Sequence, residues 1–306
     1  MKGKIAVTPR SLSIKEQPAF DDLRNAGYEV IFPTPGRQPT LQELREFLPS
    51  CDGYLAGVEP VPGEILRQCP KLKVISRNGV GVDNIDLAAA EELGIAVEKT
   101  GAANSRGVAE LAITLMLAGL RSVCWSDRGL KNGAWSRQEG IEIEGRVLGV
   151  IGCGQIGKLV VLMGLGLGMR VVAFDTYQDE SFKPGFNFQF VSLKELLSSS
   201  DVITLHCPPG KKPLIDAEAL AQMRDGVFII NTARAALVED QAVLDAIESG
   251  KLRGFATDVY EHEPPELSQL LLHDRVISTP HIGGYTQESV QRATETAVKN
   301  LLKVLG

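Results

Sequence analysis

The chain has 306 residues, of which 44% are hydrophobic and 23% are charged, and its formal net charge is -6. This length and composition are typical of a globular protein with about two domains. The negative charge argues against a nucleic-acid-binding protein, which would carry a basic surface. The five cysteines are scattered without a paired motif, so we expect free thiols in a reducing compartment rather than disulfides.

The apolar segments of the chain favour a cytoplasmic protein with no membrane partner. The N-terminal segment lacks the hydrophobic region of a signal peptide. The longest apolar stretch, Ala109–Leu120, is too short to cross a bilayer and contains Glu110. We expect it to be part of a buried helix.

Short apolar runs alternate with helical patterns such as Phe20–Asn25 and Leu41–Leu48 along most of the chain. The first series of predicted strands is Ile5–Val7, Glu29–Phe32, Tyr54–Ala56, Val74–Ser76 and Ala96–Glu98. After a helix predicted over Ser105–Leu120, the second series is Val147–Ile151, Arg170–Phe174, Phe188–Val191, Val202–His206, Val227–Asn231, Gly254–Val259 and Val276–Ser278. This alternation predicts an α/β fold with two doubly wound parallel sheets, each covered by helices on both faces.

A glycine motif, Gly152-Cys153-Gly154-Gln155-Ile156-Gly157, follows the strand VLGVI and precedes a helical run at Lys158–Leu167. The first glycine permits a tight turn, the second allows close approach of a pyrophosphate, and the third permits helix–strand packing. Asp175 ends the next strand, where its carboxylate would accept hydrogen bonds from the adenosine ribose. The motif predicts NAD rather than NADP, since Thr176 and Tyr177 supply no arginine for a 2′-phosphate. A glycine-rich turn of an unrelated α/β protein is the alternative.

Polar residues follow three of the later predicted strands. Arg234 follows Val227–Asn231, Glu263 lies five residues after Asp258, and His281 follows Val276–Ser278. Ligands of open parallel sheets bind at the carboxyl ends of the strands. An arginine can bind a carboxylate, a histidine exchanges protons near neutral pH, and a nearby glutamate can orient the histidine. Each residue alone could be an ordinary surface residue, but together they predict hydride chemistry on a small acid.

The ordered motifs SRNGVGVDNIDL, GCGQIG with Asp175, NTAR, TDVYEHEP and TPHIGG resemble those of the D-isomer-specific 2-hydroxyacid dehydrogenases. Within that family the chain is most similar to phosphoglycerate dehydrogenases without a regulatory domain. The resemblance is close from about Val74 to Thr296 and loose before that. It implies a Rossmann NAD-binding domain, residues 103–284, inserted in a flavodoxin-like substrate domain, residues 1–102 plus 285–306. It also implies a homodimer or larger assembly.

The resemblance assigns roles to individual positions. It implies that Arg234, Glu263 and His281 are the catalytic residues. The implied substrate contacts are Arg77, Asn78, Gly79, Val80, Arg234 and His281. The implied NAD contacts are Val80, Gly152, Gly154, Gln155, Ile156, Gly157, Asp175, Cys207, Thr232, Ala233, Asp258, Ile282, Gly283 and Gly284. No metal is expected.

The chain departs from the family pattern at four places. Gly57 stands where phosphoglycerate enzymes commonly have an arginine, which weakens the case for a phosphorylated substrate. Arg106 replaces an uncharged residue, and either contacts a distal anion or forms a salt bridge at the start of its helix. The segment His206–Leu214 is short, and Ala235 replaces a glycine.

Several functions stay open at this point. The substrate could be 3-phosphoglycerate, glyoxylate or hydroxypyruvate, or sulfolactate. A formate-dehydrogenase-like activity is disfavoured, because those relatives have glutamine in place of Glu263. An NAD-sensing corepressor-like binding protein could keep all three catalytic residues. Such proteins usually carry long tails, and we expect none beyond Gly306, which favours the enzyme.

Overall fold

The computed structural model describes residues 1–14, 17–79 and 81–306. These residues divide into two compact units. The first unit comprises Met1–Asn104 and Gly284–Gly306, and the second unit comprises Ser105–Gly283.

Both units are built from short strands that alternate with helices. The strands are β1 Gly3–Val7, β2 Tyr28–Ile31, β3 Gly53–Ala56, β4 Val74–Arg77, β5 Ala96–Lys99, β6 Val147–Ile151, β7 Arg170–Phe174, β8 Phe188–Phe190, β9 Val202–Leu205, β10 Val227–Asn231, β11 Leu252–Thr257 and β12 Val276–Ser278. The helices are α1 Arg10–Ser13, α2 Phe20–Asn25, α3 Leu41–Phe47, α4 Gly63–Leu66, α5 Leu87–Glu92, α6 Ser105–Leu120, α7 Val123–Lys131, α8 Gln155–Gly166, α9 Leu193–Ser199, α10 Ala217–Gln222, α11 Asp240–Glu248, α12 Gln269–Leu272 and α13 Gln287–Leu305.

In the described part of the first unit, parallel strands form a sheet in the order β2-β1-β3-β4-β5. The C-terminal helix α13 packs Ala297, Val298 and Leu301 into the core beside Ile5 and Leu55. The strand order reverses between β1 and β3, so this is the point where a doubly wound sheet opens a crevice for a ligand.

The sheet of the second unit has the order β12-β11-β10-β9-β6-β7-β8, and its described pairings are all parallel. Helix α6 has the predicted bounds, and its buried residues, such as Leu115 and Met116, pack against those of the sheet and of α8. The strand order reverses between β6 and β9. The prediction of an α/β fold with two doubly wound parallel sheets is confirmed.

Some predicted boundaries were wrong by a few residues. Strand β9 ends at Leu205 and not at His206. Strand β11 covers Leu252–Thr257 and not Gly254–Val259, because the Val259 N–H bonds the hydroxyl of Thr257 instead of a neighbouring strand. Helix α8 begins three residues before the predicted run, since Gly154 occupies its N-cap.

No single helix in the described part of the chain is long and apolar enough to cross a membrane. The bent pair Gly101–Leu120 and Val123–Lys131 reaches that length and composition only when both are taken together.

Candidate active site

The glycine motif of the second unit forms the turn between β6 and α8. Gly152 has a φ of +91°, and a Cβ there would lie 2.6 Å from the backbone nitrogen of Cys207. A Cβ at Gly157 would lie 2.0 Å from the carbonyl oxygen of Gly152, whereas one at Gly154 would meet nothing within 4 Å. The first and third glycines are therefore required by the fold, while the second leaves open space.

The helix N-terminus behind this turn is suited to an anion. Gln155 and Ile156 form the first turn of α8, where backbone N–H groups have no carbonyl partner inside the helix. The open space at Gly154 lies at this N-terminus. A pyrophosphate could approach the backbone there and be stabilised by the N–H groups and the helix dipole.

Asp175 stands directly after β7, next to the glycine motif. Its carboxylate accepts hydrogen bonds from the backbone N–H of Cys153 at 2.6 Å and of Tyr177 at 3.0 Å. These bonds hold the carboxylate beside the turn that the dinucleotide would occupy. The crowded Gly152 and Gly157, the open Gly154 and the fixed Asp175 together fit NAD.

His281 and Glu263 are brought together by the loops after β12 and β11. The Nδ1 atom of His281 lies 2.6 Å from Oε1 of Glu263, and the two side chains are 39% and 21% exposed. When Nδ1–H donates to the carboxylate, the ring has a fixed orientation and Nε2 is left to exchange a proton. The predicted pairing of these two residues is therefore present in the geometry.

The backbone of His281 is in a strained conformation. Its φ is +54°, which is uncommon for a residue other than glycine, and its N–H bonds the carbonyl of Thr279 at 2.9 Å. The same carbonyl accepts the hydroxyl of Tyr260 at 2.8 Å. Strain of this kind persists only where the surroundings enforce it, and it concentrates at functional sites.

Asp258 supports the loop that carries His281. It is 1% exposed, and its carboxylate accepts the Thr279 hydroxyl at 2.7 Å and the backbone N–H groups of Ile282 and Gly283, each at 2.8 Å. The structure thus brings three of the predicted NAD contacts together. The carboxylate of Asp258 is itself engaged in holding the loop.

The segment after β10 carries Thr232, Ala233 and Arg234. Arg234 is partly exposed, and its Nη1 donates to the carbonyl of Ala233 at 2.7 Å. The side chain of Asn231 braces this segment by bonding the Ala233 N–H at 3.1 Å and the Arg234 carbonyl at 2.8 Å. The guanidinium therefore stands on a fixed turn at the carboxyl edge of the sheet.

The remaining predicted substrate contacts belong to the first unit. Arg77 ends β4, is 9% exposed, and donates through Nη1 to the carbonyl of Asn78. Gly79 follows, and its N–H bonds the Arg77 carbonyl at 2.9 Å. Val80 lies outside the described residues. Gly284, predicted as an NAD contact, is also part of the first unit.

Three charged or titratable groups were not predicted from the sequence, and the role of a fourth was left open. Glu59 is a buried carboxylate in the first unit. In the second unit, His206 bonds Thr204 at 2.9 Å, and burial lowers its pKa to about 3. Lys158 is paired with Asp179. Arg106, left open between two roles, pairs with Glu110 one helical turn away. Only Lys158 carried a signal, as a charge directly after the motif.

Comparison with known proteins extends these observations. Residues 113–283 match the family described as D-isomer specific 2-hydroxyacid dehydrogenase, NAD binding domain. D-3-phosphoglycerate dehydrogenase of Methanocaldococcus jannaschii is 39% identical over 273 residues, which are 87% of this chain and 52% of that protein. Hydroxypyruvate reductase of Thermotoga maritima is 38% identical over 272 residues, which are 86% of this chain and 88% of that protein.

Solved structures share the fold over nearly the whole chain. D-lactate dehydrogenase from Aquifex aeolicus, complexed with NAD and lactic acid, has a TM-score of 0.82 and 31% identity, covering 96% of this chain and 93% of that one. The chain spans about half the length of the phosphoglycerate dehydrogenases that it matches. The second unit is an NAD-binding domain, and the chain belongs to the D-isomer specific 2-hydroxyacid dehydrogenase family.

Proposed function

We propose that this chain is an NAD-dependent oxidoreductase that interconverts a D-2-hydroxy acid and its 2-oxo acid. The observation that supports this most directly is the 2.6 Å contact between His281 and Glu263 in the same unit as the dinucleotide turn. A histidine held by a carboxylate is an acid–base pair, and an NAD site beside it supplies the hydride chemistry.

In this proposal each catalytic side chain has one task. His281 accepts the hydroxyl proton at Nε2 during oxidation and returns it during reduction, with Nδ1 held by Glu263. Arg234 binds the substrate carboxylate, because a guanidinium and a carboxylate can form two parallel hydrogen bonds. When bound, NAD would supply the hydride acceptor for oxidation at C2 of the hydroxy acid.

The remaining assignments complete the two binding sites. The second-unit residues that would hold NAD are Gly152, Gly154, Gln155, Ile156, Gly157, Asp175, Cys207, Thr232, Ala233, Asp258, Ile282 and Gly283. The first unit would contribute Gly284 and the segment Arg77–Gly79, which would bind the substrate carboxylate. The braced turns described above support these roles, since binding groups need fixed positions.

Two further properties are part of the proposal. We infer a homodimer or larger assembly, supported by exposed apolar side chains on and after α7, with Val123 53%, Leu130 58% and Trp135 85% exposed. We also infer a cytoplasmic location, supported by cysteines that are all free thiols, each of them among the described residues.

The comparisons do not define the group at the end of the substrate distant from its carboxylate. The chain is nearly equally similar to a phosphoglycerate dehydrogenase and to a hydroxypyruvate reductase. Glu59 favours an acid without a phosphate. Its carboxylate is 1% exposed and lies where the strand order of the first unit reverses. It accepts hydrogen bonds from Thr8, from the Tyr54 hydroxyl at 2.5 Å and from the Gly57 N–H at 2.8 Å.

This carboxylate occupies the place where a side chain at position 57 would begin. A Cβ at Gly57 would lie 2.6 Å from Oε2 of Glu59. Burial and the Glu59 charge raise the pKa of Tyr54 well above its ordinary value, so the phenol remains a donor to the carboxylate. A phosphate would meet a negative charge here instead of a cation. A 2-oxo acid whose far end is an uncharged hydroxyl, such as hydroxypyruvate, suits this edge better.

The test is NADH oxidation with a panel of plain, sulfonated and phosphorylated 2-oxo acids. We expect turnover with plain acids and a lower kcat/KM for the phosphorylated ones. NADH binding without turnover of any member would favour a corepressor-like binding protein instead. A clear preference for the phosphorylated acids would contradict the role given to Glu59 and leave the dehydrogenase assignment standing.

A further inference from the structure

Lys158 is a cation at the start of α8, directly after the last glycine of the motif. Its ammonium forms an ion pair with Asp179 and lies 5.4 Å from the ring centroid of Phe182. The Lys158 and Asp179 side chains are only 31% and 32% exposed. A lysine would otherwise move freely on its long stem, but here two partners in the loop after β7 hold its charge in one place.

Asp179 is fixed in turn by its own loop. Its Oδ1 accepts the backbone N–H of Ser181 at 3.0 Å and the Ser181 hydroxyl at 2.5 Å. The hydrogen bond from Lys158 and those from Ser181 lower the pKa of Asp179 to about 2. The carboxylate therefore stays ionised, and paired with Lys158, throughout the pH range of ordinary experiments.

This ion pair lies close to Asp175. The loop that carries Asp179 begins at Asp175, whose carboxylate accepts the Cys153 N–H at 2.6 Å. Burial raises the pKa of the Cys153 thiol, both carboxylates raise it further, and Lys158 lowers it. Asp175 contacts the backbone of Cys153, the second residue of the glycine motif, and the charges of the ion pair also act on this residue. The segment Asp175–Tyr177 contains no cation that could bind a 2′-phosphate. The cation near this segment is Lys158, which belongs to α8.

We propose that Asp179 is a specificity-determining residue, which selects NAD over NADP by withholding Lys158 from a 2′-phosphate. An NADP site needs a cation beside the ribose, and lysine is a good phosphate ligand. Lys158 could serve in that way, but Asp179 neutralises it. Discrimination then rests on two carboxylates. Asp175 repels the 2′-phosphate, and Asp179 removes the only compensation that α8 offers among its described residues near the motif.

The inference rests on the proposed NAD contacts around Asp175 and not on the identity of the substrate, so it is tested by coenzyme binding alone. Dissociation constants for NADH and NADPH are measured by nicotinamide fluorescence on the full chain at constant ionic strength. Asp179→Asn keeps the shape of the side chain and removes its charge. We expect it to tighten NADPH binding about fivefold, the change in affinity that corresponds to one partly exposed ion pair. NADH affinity should change by less than about twofold.

A matched control breaks a similar pair elsewhere. Asp225 pairs with Lys251 at 2.8 Å just before β10, at the opposite end of the strands from the glycine motif. Asp225→Asn should leave both dissociation constants unchanged. Asp179→Ser serves as a second variant, and a gain in NADPH affinity is expected from it as well.

The decisive comparison is the double variant Lys158→Ala/Asp179→Asn, in which the gain should disappear. If the gain persists there, loss of negative charge alone explains it and the role of Lys158 is wrong. Unchanged NADPH affinity in both Asp179 variants would also overturn the inference. A wild-type chain that binds neither coenzyme would contradict the proposed function instead.

Discussion

The carboxyl edges of the two sheets are built from different groups. At the point where the strand order of the second unit reverses, glycines leave the backbone exposed to a ligand. At the corresponding point of the first unit, the Glu59 carboxylate and the hydroxyls of Thr8 and Tyr54 fill the edge with bonded side chains. A site built from backbone groups suits a coenzyme, whose chemical structure is always the same. A side-chain site can be changed residue by residue, which suits the selection of a substrate.

The largest expected effect tests whether the second unit supplies the acid–base group of the reaction. Changing His281→Ala removes the proposed acid–base group, and we expect kcat to fall by about a thousandfold for every accepted acid, with NADH affinity nearly unchanged. Steady-state kinetics and fluorescence titration measure the two quantities. The exposed neighbour His262→Ala is the control, and equal losses in the two variants would contradict the assignment.

A smaller loss is expected when only the partner of His281 is altered. Glu263→Gln keeps a hydrogen-bond acceptor near Nδ1 but removes its charge. We expect kcat to fall by about tenfold to a hundredfold, since the ring keeps its site and loses its stabilising carboxylate. Pre-steady-state hydride transfer measures this directly. A loss as large as that of His281→Ala would mean that Glu263 does more than position the ring.

Two alanine substitutions test the glycine turn of the second unit. Gly157→Ala places a methyl group 2.0 Å from a carbonyl oxygen, whereas Gly154→Ala places one in open space. We expect the free energy of unfolding to fall by about 1–3 kcal/mol in the first variant and by less than about 1 kcal/mol in the second. Gly154→Ala should still weaken NADH binding, because the pyrophosphate approaches there. Urea unfolding and titration separate the two effects, and equal destabilisation would contradict the packing argument.

The stability of the protein at acid pH tests the burial of His206 in the second unit. The pKa of His206 is about 3 in the folded protein, against an ordinary value of 6.5. Between these pH values the unfolded chain takes up a proton that the folded chain does not, so stability falls as the pH is lowered through this range. Between pH 7 and pH 5 the free energy of unfolding of the wild type should fall by up to about 2 kcal/mol more than that of His206→Gln. Urea unfolding at pH 7 and pH 5 measures it, with His262→Gln as control. Parallel losses in all three proteins would show that His206 is not responsible.

The smallest effect sharpens the role of the first unit. Glu59→Gln removes the charge and keeps the shape of the buried cluster, so the kcat/KM ratio of phosphorylated to plain acids should rise several-fold while kcat for plain acids changes little. The same panel of acids measures it. If kcat falls equally for all acids, Glu59 supports the fold and does not select the substrate.

Local sequence patterns predicted many of the structural elements of this protein. The strands and helix α6 follow from periodicity. The dinucleotide turn follows from its glycines, since Gly152 has a positive φ and Gly157 has no room for a Cβ. The pairing of His281 with Glu263 was also expected, both from the residues that follow the later strands and from the resemblance to a family. Element ends were less predictable, because a hydrogen bond such as that between Val259 and Thr257 decides where a strand stops.

Other features depend on residues that are distant along the chain. Thr8 and Glu59 are 51 positions apart and meet only because β1 and β3 are neighbours in the sheet. Lys158 meets Asp179 because β7 returns the chain to the start of α8, and Asp258 holds the loop of His281 because β11 pairs with β12. The sequence alone thus predicted which chemical groups serve the proposed reaction and which strands precede them. The tertiary structure decided which charges are neutralised, because neutralisation depends on distance in space and not on distance along the chain.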